Sequence, residues 1–308
     1  MIYDIYHKTE FQYQSSVTFS HNIARIKPKA NLYQKLLEFS LDIMPQVYES
    51  HEFTDMFGNS NTHMLIRKPH RSLCVIGKSK VEIFPELIEQ HVNSVKENSI
   101  TFSSALERLA RFNVDDLCAK QYLFASTLIP KGSSQIKEYA LESFHLKRDI
   151  FEATNEFMGR IFNDFKFVSG FSDITTPVEE IFEAKKGVCQ DFAQFAISAL
   201  RTIGLPAKYI SGYIETLPPK GEEKLFGIDA SHAWFCVYIP NAGWIEFDPT
   251  NNMIPKEQHI LLGSGRDYND ISPLRGVVMS SGNSNLSVTV DVRKENKQQL
   301  QMQFQSQR

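Results

Sequence analysis

The chain has 308 residues, of which 42% are hydrophobic and 22% charged, with a formal net charge of −3. That balance fits a globular protein of about two domains with a sizeable core. It excludes a strongly basic nucleic-acid binder or polybasic membrane binder, and no apolar run reaches the roughly 18 residues of a membrane-spanning helix.

Residues 1–13 lack a basic segment followed by an apolar one, so no secretory leader is expected there. Cys74, Cys118, Cys189 and Cys236 are widely spaced and form no CxxC pair. A zinc ribbon or disulfide framework is therefore not expected. The expectation is reduced thiols in a cytoplasmic protein that uses no metal or other cofactor.

From 1 to about 85 the pattern is of short, aromatic-rich strands, among them Ile2–Tyr6, Glu10–Tyr13, Leu73–Gly77 and Lys80–Phe84. A turn cluster, Asp55–Asn61, separates two strand-like runs. Such spacing predicts an N-terminal β-sandwich. From 86 to 165 the pattern is helical, with Ser104–Ala110, Ile136–Leu141 and Ile150–Asp164 as the clearest segments. Residues 166–292 are expected to form the main core with its closing strands, and the Gln-rich residues 293–308 a flexible tail.

Within that core, Thr176 reads as a helix N-cap, with Pro177 at the first helical position and Glu179 completing a capping box. Lys185-Lys186-Gly187 ends this helix. A second helix opens at Cys189. Its Phe192, Phe195, Ala196, Ala199, Leu200 and Ile203 recur every three or four residues, which is a buried stripe, and Gly204 and Pro206 stop it. Strands follow at Lys208–Glu215, His232–Ile239 and Trp244–Asp248, the last two joined by the hairpin signal Pro240-Asn241-Ala242-Gly243. Leu217–Lys224 reads as a mobile surface loop.

Cys189 stands where a helix begins. The first N–H groups of a helix lack internal partners and carry partial positive charge. Both favour a thiolate, and helix starts are known to lower cysteine pKa values. The same N–H groups can stabilise an oxyanion. Cys74, Cys118 and Cys236 sit in apolar runs and read as structural thiols. A thiol nucleophile needs a base, and the base an orienting group. His232 opens one strand and Asp248 closes the next, so a hairpin makes them neighbours, although a tight turn at Asn241-Ala242 leaves them a few residues out of line and calls for a bulge or stagger. Alone, His232 reads as an edge-strand histidine and Asp248 as a turn former before Pro249. Together with Cys189 they suggest a catalytic set.

At Thr176–Glu180, Gly187–Ala193, Leu205–Tyr213, Ala230–Trp234 and Phe247–Asn251 the sequence resembles bacterial transglutaminase-like cysteine proteases. His7–Tyr13, Phe57-Gly58-Asn59 and Gly265–Asp270 extend the likeness to nearly the whole chain. The resemblance implies an α+β fold: a papain-like, transglutaminase-like core with a helix-borne cysteine on an antiparallel sheet, preceded by the β-sandwich. It implies Cys189 as nucleophile, His232 as general base and acid, and Asp248 as the orienter of the imidazole. The chemistry implied is acyl transfer from a peptide or isopeptide amide through a thioester, with a peptide or protein as substrate. Relatives commonly carry a Tyr where this chain has Phe167, which lacks a hydroxyl.

Three further residues are substrate-binding candidates. Asp191 either shapes the cleft or simply favours the helix start. Trp234 either walls the cleft or packs. Arg266 either reaches substrate from its Gly-rich loop or pairs with a neighbouring Asp, the latter being the preferred reading. Hydrolysis is the expected outcome. Cross-linking to an amine is the first alternative, and a non-catalytic peptide-binding scaffold is an alternative of another class.

Overall fold

The structure is a computed structural model, and it describes residues 1–216, 224–227 and 229–295. The loop expected at 217–224 and the tail expected from 293 lie outside these residues, apart from Lys224 and residues 293–295.

Six strands come first: β1 (Ile2–Val17), β2 (Phe19–Ala24), β3 (Gln34–Met44), β4 (Glu49–Thr54), β5 (Ser60–Ile66) and β6 (His70–Ile83). Five helices follow: α1 (Pro85–Glu97), α2 (Phe102–Ala110), α3 (Val114–Lys120), α4 (Ser134–Leu141) and α5 (Ile150–Asp164). Next come β7 (Lys166–Phe167), α6 (Val178–Ala184), β8 (Lys186–Gly187) and α7 (Cys189–Thr202). The chain closes with β9 (Ala207–Ile214), β10 (Ser231–Ile239), β11 (Gly243–Phe247), β12 (His259–Gly265), α8 (Tyr268–Ile271), β13 (Leu274–Met279) and β14 (Ser284–Lys294).

The first unit is a sandwich of two four-stranded sheets, ordered β14-β1-β6-β3 and β13-β2-β5-β4. Alternate residues of β1 (Tyr3, Ile5, His7 and Thr9) point inward, as the two-residue period of a strand requires. Between the sheets, Ala24, Met64, Ile66, Leu73 and Val75 form a core. The strands at 274–294, expected to close the catalytic core, belong instead to the sandwich: β13 pairs with β2 and β14 with β1. Their exposed, polar-interrupted pattern carries no mark of which sheet they join, and only long-range pairing decides it.

The second unit is a four-stranded antiparallel sheet, β11-β10-β9-β12, with α7 against one face. Helices α2, α4 and α5 bury Phe102, Ile136, Phe151 and Phe157 in the same core as Phe192 and Phe195 of α7, so they are packed into the core and do not merely link the units. α7 is buried nearly all round, Gln194, Ser198 and Arg201 included. The sequence stripe understates this, because a central helix meets neighbours on every side. α6 begins one residue later than the sequence suggests. Pro177 is its N-cap, and Glu179 accepts instead from Ser133 N–H and Oγ–H at 2.9 Å. The hairpin turn is as read: Ala242 N–H donates to Ile239 O, and Asn241 takes φ +72°.

The units are hydrogen-bonded to each other. The Gln34 amide donates to Leu261 O and accepts from Leu261 N–H, both at 2.8 Å. Asn59, from the turn cluster, does the same with Ser264 at 2.8 and 2.9 Å. His7 Nδ1 lies 2.8 Å from Tyr213 Oη. Among the described residues, no helix is long and apolar enough to cross a membrane.

Candidate active site

Cys189 is the first residue of α7 and half-buried. Its N–H, in the first turn, has no intrahelical acceptor. The helix start is fixed by Asp191, whose Oδ2 accepts Val188 N–H at 2.7 Å and the Ser172 hydroxyl. Burial raises the Asp191 pKa, and these hydrogen bonds oppose that rise. A Cβ on Gly187 would lie 2.7 Å from Asp191 Oδ2 and 2.8 Å from its Cβ. Gly187 is thus required for close approach of the clamp, while Lys185 (φ +51°) supplies the left-handed end of α6.

His232 stands at the open end of β10. Its Nε2–H donates to Asp248 Oδ2 at 2.7 Å, and the Cys189 thiol lies close enough to the ring to favour its charged form. With Nε2 spent on Asp248, Nδ1 is the nitrogen left for the sulfur. Pairing runs without a register shift from Ile239↔Gly243 to Phe235↔Phe247, so of the expected bulge or stagger it is the stagger that occurs. Asp248 follows the last of these pairs and bridges back to Met253, and the side chains of Asp248 and His232 span the two-residue diagonal.

Asp248 is fully buried and saturated with donors. Its Oδ2 also accepts His259 Nε2–H at 3.0 Å and Asn251 Nδ2–H at 2.7 Å, while Oδ1 accepts Thr250 and Asn251 N–H. Burial alone would raise its pKa, but the hydrogen bonds from His232 and His259 hold it well below the usual carboxylate range. Burial would lower the pKa of His232. The Asp248 and Cys189 partners outweigh that and push it up to about 10.

Gly212 makes this gathering possible. It pairs with His232 on one side and Leu261 on the other. Side chains of β10 and β12, two strand spacings apart, meet over its missing Cβ. There the Trp234 ring lies 5.4 Å from His259 and 5.8 Å from His232 between centroids. His232, Asp248 and His259 keep ligand-type atoms within 4.8 Å of one another. Both of those histidine nitrogens lie within hydrogen-bond distance of the one carboxylate oxygen, at 2.7 and 3.0 Å.

Residues 3–82 match the family model of the bacterial transglutaminase-like N-terminal region, and residues 138–249 that of the transglutaminase-like superfamily. Protein Rv2569c of Mycobacterium tuberculosis (strain H37Rv) is 35% identical over 298 residues, covering 94% of this chain and 92% of its own. The chain belongs to the bacterial transglutaminase-like family. A crystal structure of a "putative cysteine protease" from Cytophaga hutchinsonii has the same fold, with TM-score 0.70 at 21% identity over 96% of this chain and 92% of that one. A protein-glutamine gamma-glutamyltransferase of Pseudomonas aeruginosa is 31% identical over 103 residues, which is 31% of this chain and 15% of its own length.

The remaining candidates of this transglutaminase-like chain fall elsewhere. Asp191 is buried as the helix clamp and offers no surface to a substrate. Trp234 is sealed at 1% exposure, its Nε1–H donating to Glu246 at 2.7 Å, so it supports the sheet and does not wall a cleft. Arg266 is chelated by Asp270 at 2.9 and 3.0 Å. Its carbonyl holds Arg201, which lies about 18 Å along α7 from Cys189 at 1.5 Å per residue. Arg266 therefore stands far from the thiol. Phe167 pairs with Gly187 in β8 and is 58% exposed beside the segment leading to Cys189, a place where it offers apolar surface and no hydroxyl. Sequence reasoning missed His259 and gave Asn251 no role. Asn251 lay within a family-like run, but nothing in the spacing of His259 tied it to Asp248.

Proposed function

We propose that this protein is a cysteine-dependent acyl-transfer enzyme that hydrolyses peptide or isopeptide amides. The observation that carries the reading is a helix-start thiol beside His232, whose ring is hydrogen-bonded to the buried Asp248. Cys189 transfers its proton to His232, and the thiolate attacks the amide carbonyl carbon. The Cys189 N–H at the helix start stabilises the resulting oxyanion. As the C–N bond breaks, the imidazolium gives its proton to the leaving amine, and a thioester remains. Water then attacks the thioester with His232 as base. The acid departs, and the thiol is restored.

Cross-linking, with an amine in place of water, is the second reading. The partial match to the Pseudomonas aeruginosa protein-glutamine gamma-glutamyltransferase favours it. Mass spectrometry after incubation with cell-extract peptides in ¹⁸O-water and a tagged primary amine separates the two: ¹⁸O in the product carboxyl supports hydrolysis, and amine incorporation supports transfer. No acyl adduct on Cys189 would reject both.

Two expectations follow from the site. Cys118 is exposed and Cys189 half-buried, so access alone favours labelling of Cys118. A thiol served by a positioned base is expected to react faster than an unassisted one, by on the order of 10²-fold. Peptide mapping after brief iodoacetamide treatment is expected to find Cys189 modified that much faster than Cys118; equal rates would remove the case for activation. Turnover is also expected to fall as pH rises through about 10, where His232 loses the proton the leaving amine needs. The linked stability has the same sign. The His232 contribution is complete below 6.5 and lost as pH climbs through about 10, while that of Asp248 is present above 3.8 and lost on acidification. A pH–rate profile with a parallel thermal-melting series checks both.

A further inference from the structure

We infer that His259 is a positioning residue for the acyl-transfer centre: its Nε2–H holds Asp248 in the orientation and ionised form that His232 requires. The inference rests on the reading of Cys189, His232 and Asp248 given above. Nothing in the comparisons assigns His259 a role.

The geometry fixes the ring at every edge. His259 Nδ1 accepts the Lys256 N–H at 3.3 Å, which leaves the ring proton on Nε2. That proton points at Asp248 Oδ2, 3.0 Å away. Trp234 packs edge-on against the ring, with planes 83° apart. Two residues on, Leu261 is gripped at both its N–H and its carbonyl by Gln34 of the sandwich. His259 is 6% exposed, so water does not replace the donor.

The consequence is chemical. A carboxylate this buried remains ionised only while donors surround it. The titratable groups facing Asp248 are His232 from β10 and His259 from β12, with Cys189 of α7 reaching it through His232. Its own turn contributes only the neutral Thr250 and Asn251. His232 is engaged in the reaction and changes charge during it. His259 is then the partner that keeps the carboxylate ionised when His232 is neutral. Without it, Asp248 takes up a proton at higher pH, and a protonated Asp248 neither orients the imidazole nor balances its charge.

The test compares full-length wild type, His259→Leu and His259→Gln by the rate of iodoacetamide reaction at Cys189 across pH 4–9, with melting curves for each. In wild type, rapid labelling with an acid limb is expected. His259→Leu is expected to react about 10-fold or more slowly at neutral pH, on the scale of losing a supporting partner, with its acid limb moved to higher pH. His259→Gln restores an N–H donor and is expected to recover most of both. A merely structural role would lower the melting temperature of His259→Leu and leave the acid limb in place, and that result overturns the inference. Slow labelling of wild-type Cys189 rejects the acyl-transfer reading and this one with it. Fast wild-type labelling with an unmoved limb in His259→Leu rejects only the role of His259. Should His259→Leu fail to fold, ¹⁵N NMR of histidine-labelled wild type decides: an Nε2–H tautomer at His259 supports the inference, and an Nδ1–H tautomer overturns it.

Discussion

Asp248→Asn is expected to lower acyl transfer by about 10⁴-fold, the scale on which an imidazole loses catalytic competence when its orienting carboxylate becomes an amide. The reason is explicit in the donor count. Five N–H groups converge on this side chain: three on Oδ2 from His232, His259 and Asn251, and two on Oδ1 from the following turn. An amide has one oxygen. If that oxygen replaces Oδ2, its NH₂ faces the Thr250 and Asn251 N–H groups. If it replaces Oδ1, the NH₂ faces both histidines. Either way buried donors are left without acceptors, at about 1–3 kcal/mol each, and His232 is free to turn its other nitrogen toward the peptide. The check is the rate of acyl-adduct formation on Cys189 with cell-extract peptides. A variant within tenfold of wild type would mean that Asp248 does not orient the base.

Gly212→Ala is expected to cost about 3 kcal/mol or more of stability, at the upper end for overpacking, and to slow Cys189 labelling as well. The new methyl carbon would lie 2.2 Å from Ile260 O and 2.5 Å from the Trp234 ring. One obstacle is backbone of the neighbouring strand β12. The other is a sealed indole packed between the two histidines. Neither moves without displacing His232 or His259, so stability and reactivity are expected to fall together. Chemical denaturation and labelling of the same preparation would show it. A destabilised variant that labels at the wild-type rate would mean the slot over Gly212 serves packing alone.

Much of this was legible in the sequence, and for physical reasons. Cys189 announced itself because a helix start is written locally, in a glycine, a following amphipathic run and a terminal Gly-Pro signal. The hairpin carrying His232 and Asp248 was legible through its turn residues, and the tight register followed from them. Of the two devices expected to close the gap, a bulge or a stagger, the structure uses the stagger, because the two side chains reach across a diagonal. The burial of Asp191 and Trp234 was illegible, because a charge at a helix start and an aromatic residue on a strand have the same pattern inside and outside. His259 was invisible because its partner belongs to a turn eleven residues earlier, and only the folding of 249–258 over the sheet brings them together.

The return of β13 and β14 to the sandwich has a consequence for how the molecule is made. β1, synthesised before every other described strand, pairs on one side with a strand that ends at Lys294, one of the last described. β2 likewise waits for β13. Each sheet of the sandwich therefore keeps an open edge while the whole of the thiol-bearing core is synthesised, and such edges invite pairing with other chains. Contacts this distant in sequence form slowly. A chain interrupted after β12 would hold every residue of the proposed chemistry and still lack two strands of its N-terminal sandwich.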